Sequence, residues 1–250
     1  MADHPWLVDI TSGGGHEQVL YAVPHAGAGA AAVKQTCRLL ADHCDTVAVR
    51  LPGRERLTAQ EPWTDLGRLA GELARQVLLH AQGRRILLHG HCSGAVIAYE
   101  TACRLPAAVL DALIVSANEA PDRIPLGGAW KLPRDAFLAQ VAADGYLSAD
   151  LLADRELTAL VEPALRADYR LIEEHPPSGQ VLPVPVHALV GVDERTVRTE
   201  DIAAWEHFTS AGFRLVTVPG GHNLLREEPA ALAEAIRAAT PRDRAVSGSL

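Results

Sequence analysis

The chain has no long hydrophobic run. Its most apolar stretches, such as residues 26–33 and 86–88, are flanked by polar residues and fall far short of the roughly 20 residues a membrane-spanning helix needs. No bilayer span is expected. The opening Met1-Ala2-Asp3-His4-Pro5 has neither the basic nor the apolar region of a secretion signal, so a cytoplasmic location is read. Positive charge is in deficit as well: 23 Lys and Arg stand against 31 Asp and Glu, a formal charge of −8, which argues against a broad nucleic-acid surface. Cysteine is scarce. Cys37, Cys44, Cys92 and Cys103 make no disulfide framework in 250 residues and contain no C-x-x-C pair for zinc or redox work. No repeat of solenoid or propeller spacing is present, and no metal or cofactor site is read.

What is present is an ordinary globular composition, 48% hydrophobic and 22% charged, at a length that suits one domain. Short β-rich runs alternate with longer Ala/Leu/Arg segments of helical spacing, the pattern of a parallel sheet covered by helices. Strands are predicted at residues 19–24, 46–51, 85–89, 112–116, 186–190 and 214–218, and helices at 30–42, 66–80, 95–104, 199–210 and 230–239. About 70 residues separate the fourth and fifth of these strands, too many for one crossover helix. Helical stretches at 134–143 and 149–170, punctuated by prolines, predict a lid over residues 121–177. Residues 242–250 have no apolar period and are expected to fray.

The most informative segment is Gly90-His91-Cys92-Ser93-Gly94, which joins an apolar strand to a helix. In a G-x-S-x-G elbow the glycines allow close passage of a sharp strand-to-helix turn whose central residue is strained and exposed. Here the apex is Cys92. A thiol at a helix start feels the positive end of the dipole, which favours the thiolate. Ser93 is one position off the apex, so its backbone N–H, not its hydroxyl, is the useful group. The partners of such a nucleophile follow as acid and then histidine, each after a later strand. Asp193, in Gly191-Val192-Asp193, is read as the acid, with neighbouring Glu194 as its alternate; His222, in Gly220-Gly221-His222, is read as the base. His89 and His91 are assigned to packing or local hydrogen bonding, and strand alternation is expected to put them on opposite sheet faces. The small-residue loop Val23-Pro24-His25-Ala26-Gly27 offers the Ala26 N–H, which with that of Ser93 would complete an oxyanion hole. A phosphate loop is not read there, because Ala32 replaces the third glycine of G-x-G-x-x-G.

Taken together, Pro24-His25-Ala26-Gly27, Leu51-Pro52-Gly53-Arg54-Glu55-Arg56, the elbow, Ser116-Ala117-Asn118-Glu119-Ala120-Pro121, Leu165-Arg166-Ala167-Asp168-Tyr169-Arg170, Gly191–Asp193 and Gly220-Gly221-His222 span nearly the whole chain. In these motifs the sequence resembles the type II thioesterases of polyketide and non-ribosomal peptide assembly lines, in the α/β-hydrolase superfamily. The resemblance implies an α/β-hydrolase fold with a helical lid. It also implies a discrete monomeric enzyme that takes an acyl group from the phosphopantetheine arm of a carrier protein onto Cys92, with no cofactor of its own. One departure matters: the family's elbow usually reads Gly-His-Ser-Met-Gly. A serine would convert the incoming thioester to a more stable oxoester, whereas Cys92 exchanges thioester for thioester and keeps the acyl group activated. Hydrolytic release is the leading expectation. Transfer to a second carrier thiol, or cyclisation by an internal amine or hydroxyl, is the runner-up, and an inactive carrier-binding protein is the third. Arg54 and Arg56 are read as a solvated ion-paired loop in preference to a phosphate site. Trp130, Phe137, Tyr146 and Leu151 are read as helix core in preference to an acyl tunnel.

Overall fold

Five strands are buried along nearly their whole length, as a parallel sheet covered on both faces requires: β2 (Gln18–Val23), β3 (Asp45–Val49), β4 (Arg85–His91), β5 (Leu110–Ser116) and β6 (Val186–Gly191). With β1 (Leu7–Thr11) and β7 (Phe213–Val218) at the edges, they form a seven-stranded sheet in the order β1-β3-β2-β4-β5-β6-β7. All neighbours pair in parallel except β1, which runs antiparallel to β3 with Leu7 opposite Val49. The structure is a computed structural model that describes residues 4–125, 127–143, 147, 152–176 and 178–240. The expected fraying of 242–250 falls outside the described residues, as do Tyr146 and Leu151.

Helices close the two faces in separate apolar layers. On one face, α1 (Ala30–Leu39) and α8 (Pro229–Ala239) bury Val33, Cys37, Leu232 and Ile236 against Leu20, Leu87 and Leu189. Cys44 lies in the same layer, so packing accounts for both of these thiols, and burial pushes that of Cys37 up to about 12. On the other face, α2 (Leu66–Ala81) and α3 (Ser93–Ala102) pack over Tyr21, Leu88 and Val115. Asp65 caps α2 by accepting the Arg68 N–H at 2.9 Å. Every residue of α3 is buried, so this helix has no polar face for a periodicity to reveal. The predicted helix at 199–210 is α6 (Thr199–Ala203) followed by a 3₁₀ stretch, Ala204–Phe208, and α7 (Leu224–Glu227) is a single turn before α8.

The segment between β5 and β6 contains a 3₁₀ turn (Ala129–Lys131), α4 (Arg134–Ala143) and α5 (Arg155–Glu173). Phe137, Leu138, Val141, Leu147 and Leu165 form an apolar cluster of their own that also takes in Ala26, so this insertion rests on the loop after β2. Trp130 and Phe137 do not line the cavity below. Phe137 is buried in the insertion's cluster, under the Arg166 guanidinium.

No described helix is long and apolar enough to cross a membrane. The strand that the periodicity overlooked is β1. It is short and only half-buried, and its place depends on β3, 35 or more residues away, not on a local pattern.

Two glycines test the close approaches on which this packing depends. A Cβ at Gly94 would lie 2.4 Å from the Pro24 carbonyl oxygen and 2.5 Å from that of Val23, both backbone atoms that cannot swing aside. A Cβ at Gly71, inside α2, would meet only Arg104 Cδ at 4.0 Å. Gly94→Ala is expected to destabilise the protein by about 3 kcal/mol, and Gly71→Ala to stabilise it by about 0.5–1 kcal/mol, both measured by urea denaturation.

Candidate active site

Cys92 occupies the sharp turn between β4 and α3 with φ 50° and ψ −129°, a left-handed backbone that costs a non-glycine residue about 1–3 kcal/mol. Its neighbours make the turn possible. A Cβ at Gly90 would lie 2.3 Å from the Gly94 carbonyl oxygen, so the strand and helix can close on each other only without one. The Cys92 N–H donates to Ser116 O at 2.8 Å, and its carbonyl accepts the Ala95 N–H at 2.7 Å. The Cys92 side chain is left half-buried at the floor of a cavity of about 610 Å³, which is also lined by Ala26, Ser93 and His222.

His222 enters from the loop after β7 and lines the cavity with Cys92, whose side chain raises the pKa of the imidazole. Gly191 brings that loop close: a Cβ there would lie 2.4 Å from the carbonyl oxygens of both Gly220 and Gly221. The Gly221 N–H is held by Glu227 at 2.7 Å.

The acid is where the sequence reading must be corrected. His222 Nδ1–H donates to Glu194 Oε2 at 2.7 Å, while the Asp193 side chain is exposed to solvent. Asp193 serves the site through its backbone, whose N–H donates to Gly220 O at 2.9 Å and ties the two loops together. Glu194 is one residue and one methylene further on, and its carboxylate reaches back. Its other oxygen accepts the N–H groups of Thr196 and Val197 at 2.7 and 3.2 Å, so the carboxylate is fixed on both sides. No local pattern ranks the two carboxylates; the Thr196 and Val197 N–H groups hold that of Glu194 inward only in the folded turn.

Four imidazoles crowd this corner, and only one is built to carry a proton. Burial lowers the pKa of His25 to about 4 and of His89 to about 4, and takes that of His91 well below the ordinary value. His222 goes the other way. Burial disfavours its charge, but hydrogen bonds to Cys92 and Glu194 and the charges of both outweigh this and raise it to about 10. Glu194 is held below its ordinary value, because His222 and the two backbone donors overcome burial. His89 and His91 share a sheet face, as residues two apart in a strand do, and not opposite faces as the sequence reading had it. Both rings meet Ser116 Oγ, at 3.0 and 2.9 Å. Among the described residues no group of three or more His, Cys, Asp or Glu side chains could hold a metal ion.

Next to Cys92, Ser93 opens α3, so its N–H is one of the donors a helix start leaves unused. Ala26 faces it from the loop after β2. That loop is fixed by Asp168 of α5, which accepts the Gly27 N–H at 2.7 Å and binds Arg54 through both oxygens at 2.7 and 3.0 Å. Arg54 also donates to Ala28 O at 3.2 Å. The expectation of a solvated loop therefore fails for Arg54. It is 7% exposed, the buried centre of a clamp between the insertion and the Ala26 loop, whereas Arg56 is exposed.

Comparisons with known proteins place the chain in a family and a fold. The Thioesterase domain family matches residues 18–240. The probable cadicidin biosynthesis thioesterase of Streptomyces griseus is 31% identical over 229 residues, 90% of this chain and 63% of that one. Phenyloxazoline synthase MbtB of Mycobacterium tuberculosis is 30% identical over 239 residues, 94% of this chain and 17% of that one. The chain thus spans less than two thirds of the length of these curated relatives. The structure of the type II thioesterase BorB from the borrelidin biosynthetic cluster superposes with a TM-score of 0.82 at 33% identity, covering 95% of this chain and 98% of that one. The fold is that of the α/β-hydrolase thioesterases.

Two measurements probe the acid. Glu194→Gln removes a charge-assisted hydrogen bond of about 1.5–3 kcal/mol, so alkylation of Cys92 by iodoacetamide at pH 6.5 should slow about tenfold or more. Asp193→Asn should leave that rate within about twofold, since an exposed side chain is being changed. The second is stability against pH. A histidine raised from 6.5 to about 10 adds stability that is full below pH 6.5 and lost as the pH rises through about 10. The lowered Glu194 adds stability that is present above 4.5 and lost as the pH falls through its folded value. The difference in unfolding free energy between the parent and Glu194→Gln should therefore be greatest near pH 5–6.5 and shrink steadily toward pH 10.

Proposed function

Since the chain belongs to the Thioesterase domain family, we propose that it takes acyl groups from the phosphopantetheine thioesters of a carrier protein onto Cys92 and releases them by hydrolysis. The setting is polyketide or non-ribosomal peptide biosynthesis, the context named for YbtT, a type II thioesterase from the yersiniabactin NRPS/PKS pathway that is 26% identical. The observation that carries this reading is the His222 imidazole, which shares a cavity with Cys92 and is hydrogen-bonded to Glu194.

The chemistry follows from that arrangement. His222 accepts the thiol proton while Glu194 holds the ring and balances its charge. The sulfur attacks the thioester carbonyl, and the oxyanion that forms meets the N–H groups of Ala26 and Ser93. Collapse expels the pantetheine thiol, which takes its proton from the imidazolium and leaves the acyl group on Cys92. Water then attacks with His222 as base, and the free acid departs.

A second reading has its own support in the cysteine. Passing an acyl group from one thiol to another changes the free energy little, so the acyl-enzyme stays reactive toward a second carrier's thiol or an internal nucleophile. What arrives first decides between release and transfer.

Incubation with a propionyl-loaded carrier, with and without an empty second carrier, separates the readings by intact mass. Hydrolysis predicts a propionyl adduct on Cys92 that decays to free propionate whether or not the second carrier is present. Transfer predicts that the second carrier becomes loaded. Cys92→Ala should form no adduct, and carrier deacylation should fall by about 10³-fold or more. An adduct-free enzyme that leaves the carrier loaded would favour a role in binding alone.

A further inference from the structure

The Asp168 carboxylate is buried at the edge of the cavity and has both oxygens occupied, yet the proposed acyl transfer gives it no part. Oδ2 accepts from the Gly27 N–H and from Arg54 Nη1, both at 2.7 Å, and Oδ1 accepts from Arg54 Nη2 at 3.0 Å. A buried charge pair of this kind adds little net stability. What it does supply is a fixed acceptor for one backbone N–H of the Ala26 loop.

That loop needs an anchor at this point. Gly27 has φ 70°, a conformation that glycine enters and leaves freely. Two peptide planes meet at Ala26. The first carries the Ala26 N–H, and its carbonyl, His25 O, accepts the Ala28 N–H at 3.1 Å. The second is held at both ends: His25 Nδ1–H donates to Ala26 O at 3.1 Å, and the Gly27 N–H donates to Asp168. Of these three bonds, only the one to Asp168 reaches outside the turn, and it comes from α5. Ala26 itself packs in the apolar cluster of the insertion. The Ala26 N–H has no hydrogen-bond partner among the described residues, so the bonds around it hold a donor that is left for a ligand.

We infer that Asp168 is a positioning residue for the Ala26 donor: anchored by Arg54, it fixes the Gly27 peptide so that the Ala26 N–H faces the oxyanion, and attack by Cys92 on a carbonyl is fast only while α5 is seated on the loop. The inference rests on the proposed acyl-thioester chemistry and its two-donor oxyanion site. Asp168 acts through the loop and not on the reacting atoms. Its effect falls on the transition state, because negative charge gathers on the carbonyl oxygen only as the sulfur adds. Binding of the thioester is left alone.

Asp168→Asn by itself leaves the Arg54 charge buried and unpaired, a change that destabilises the fold. The test therefore uses two double variants with melting curves taken for each. Arg54→Met with Asp168→Leu replaces the pair by apolar side chains of similar volume and removes the Gly27 acceptor. Arg54→Met with Asp168→Asn also removes both charges but keeps a carbonyl oxygen for Gly27. Acylation of Cys92 by propionyl-pantetheine is followed by quench-flow and intact mass. Alkylation by iodoacetamide at pH 6.5 is measured beside it, since displacement of iodide by the sulfur builds no oxyanion.

In the leucine double variant the limiting acylation rate should fall about 10- to 100-fold with half-saturation little changed, while alkylation stays within about twofold of the parent. The asparagine double variant should recover most of the acylation rate. Acylation at the parent rate in the leucine variant overturns the inference, as does an asparagine variant equally slow. A parallel loss of alkylation, or of the melting transition, also overturns it, because the pair then serves the fold as a whole. A parent enzyme that is alkylated at Cys92 but never acylated overturns the acyl-transfer reading itself, and the inference with it.

Discussion

The site exists because the chain around Cys92 can come closer to itself than side chains would allow. Cys92 holds a positive φ, and the strain is sustained by the approach of β4 to α3 at Gly90 and of α3 to the first loop at Gly94. Gly94 is the more consequential, because the backbone it touches belongs to Val23 and Pro24, immediately before the Ala26 donor. One close contact thus sets the distance between the Cys92 turn and the Ala26 loop across the cavity. Gly191 does the same for the other half, drawing the His222 loop onto the Glu194 turn. The four pieces of chemistry come from four loops, and each is located by a carbon atom that is missing.

The buried Arg54–Asp168 pair adds the insertion to this arrangement. With the two side chains 7% and 3% exposed, the pair is held by bidentate geometry and by further bonds to Gly27, Ala28 and Pro52. Such a pair is weak evidence for stability, because the cost of burying two charges offsets most of their attraction. Its value lies in register. α5 cannot rise off the Ala26 loop without exposing both charges and releasing the Gly27 N–H, so the position of the insertion and the direction of the Ala26 donor are coupled.

Much of this could be read in the sequence, and the parts that could not share one cause. The elbow, its Cys92 apex and the His222 loop follow from local pattern, since strand, glycine and helix signals lie within a few residues of each chemical group. The central strands follow from buried β-branched runs. Asp193 and Glu194 could not be ranked by pattern, because which carboxylate turns inward depends on how far a side chain reaches from a tight turn. The burial of Arg54 needed a partner 114 residues away, and β1 needed β3 to define it. His89 and His91 are a different matter, since strand geometry alone puts residues two apart on the same face.

The choice of sulfur and the electrostatics around it belong to one argument. His25, His89 and His91 are kept neutral by burial, so no second positive charge competes for Glu194 or repels the imidazolium of His222. A ring that keeps its proton up to about 10 suits a thiol partner, from which it takes that proton before the sulfur attacks. A serine alkoxide, far more basic, would hand the proton back at once and needs its base neutral at the moment of attack. In the proposed reaction the same ring loses its proton to the departing pantetheine thiol before it activates water. As the Cys92 side chain becomes an acyl thioester, the hydrogen bond and the charge that raised His222 disappear with it, leaving only Glu194 against burial. In the proposed reaction, acylation therefore brings the basicity of His222 back toward the range in which a histidine acts as a base near neutral pH. The covalent step itself resets the residue that the next step requires.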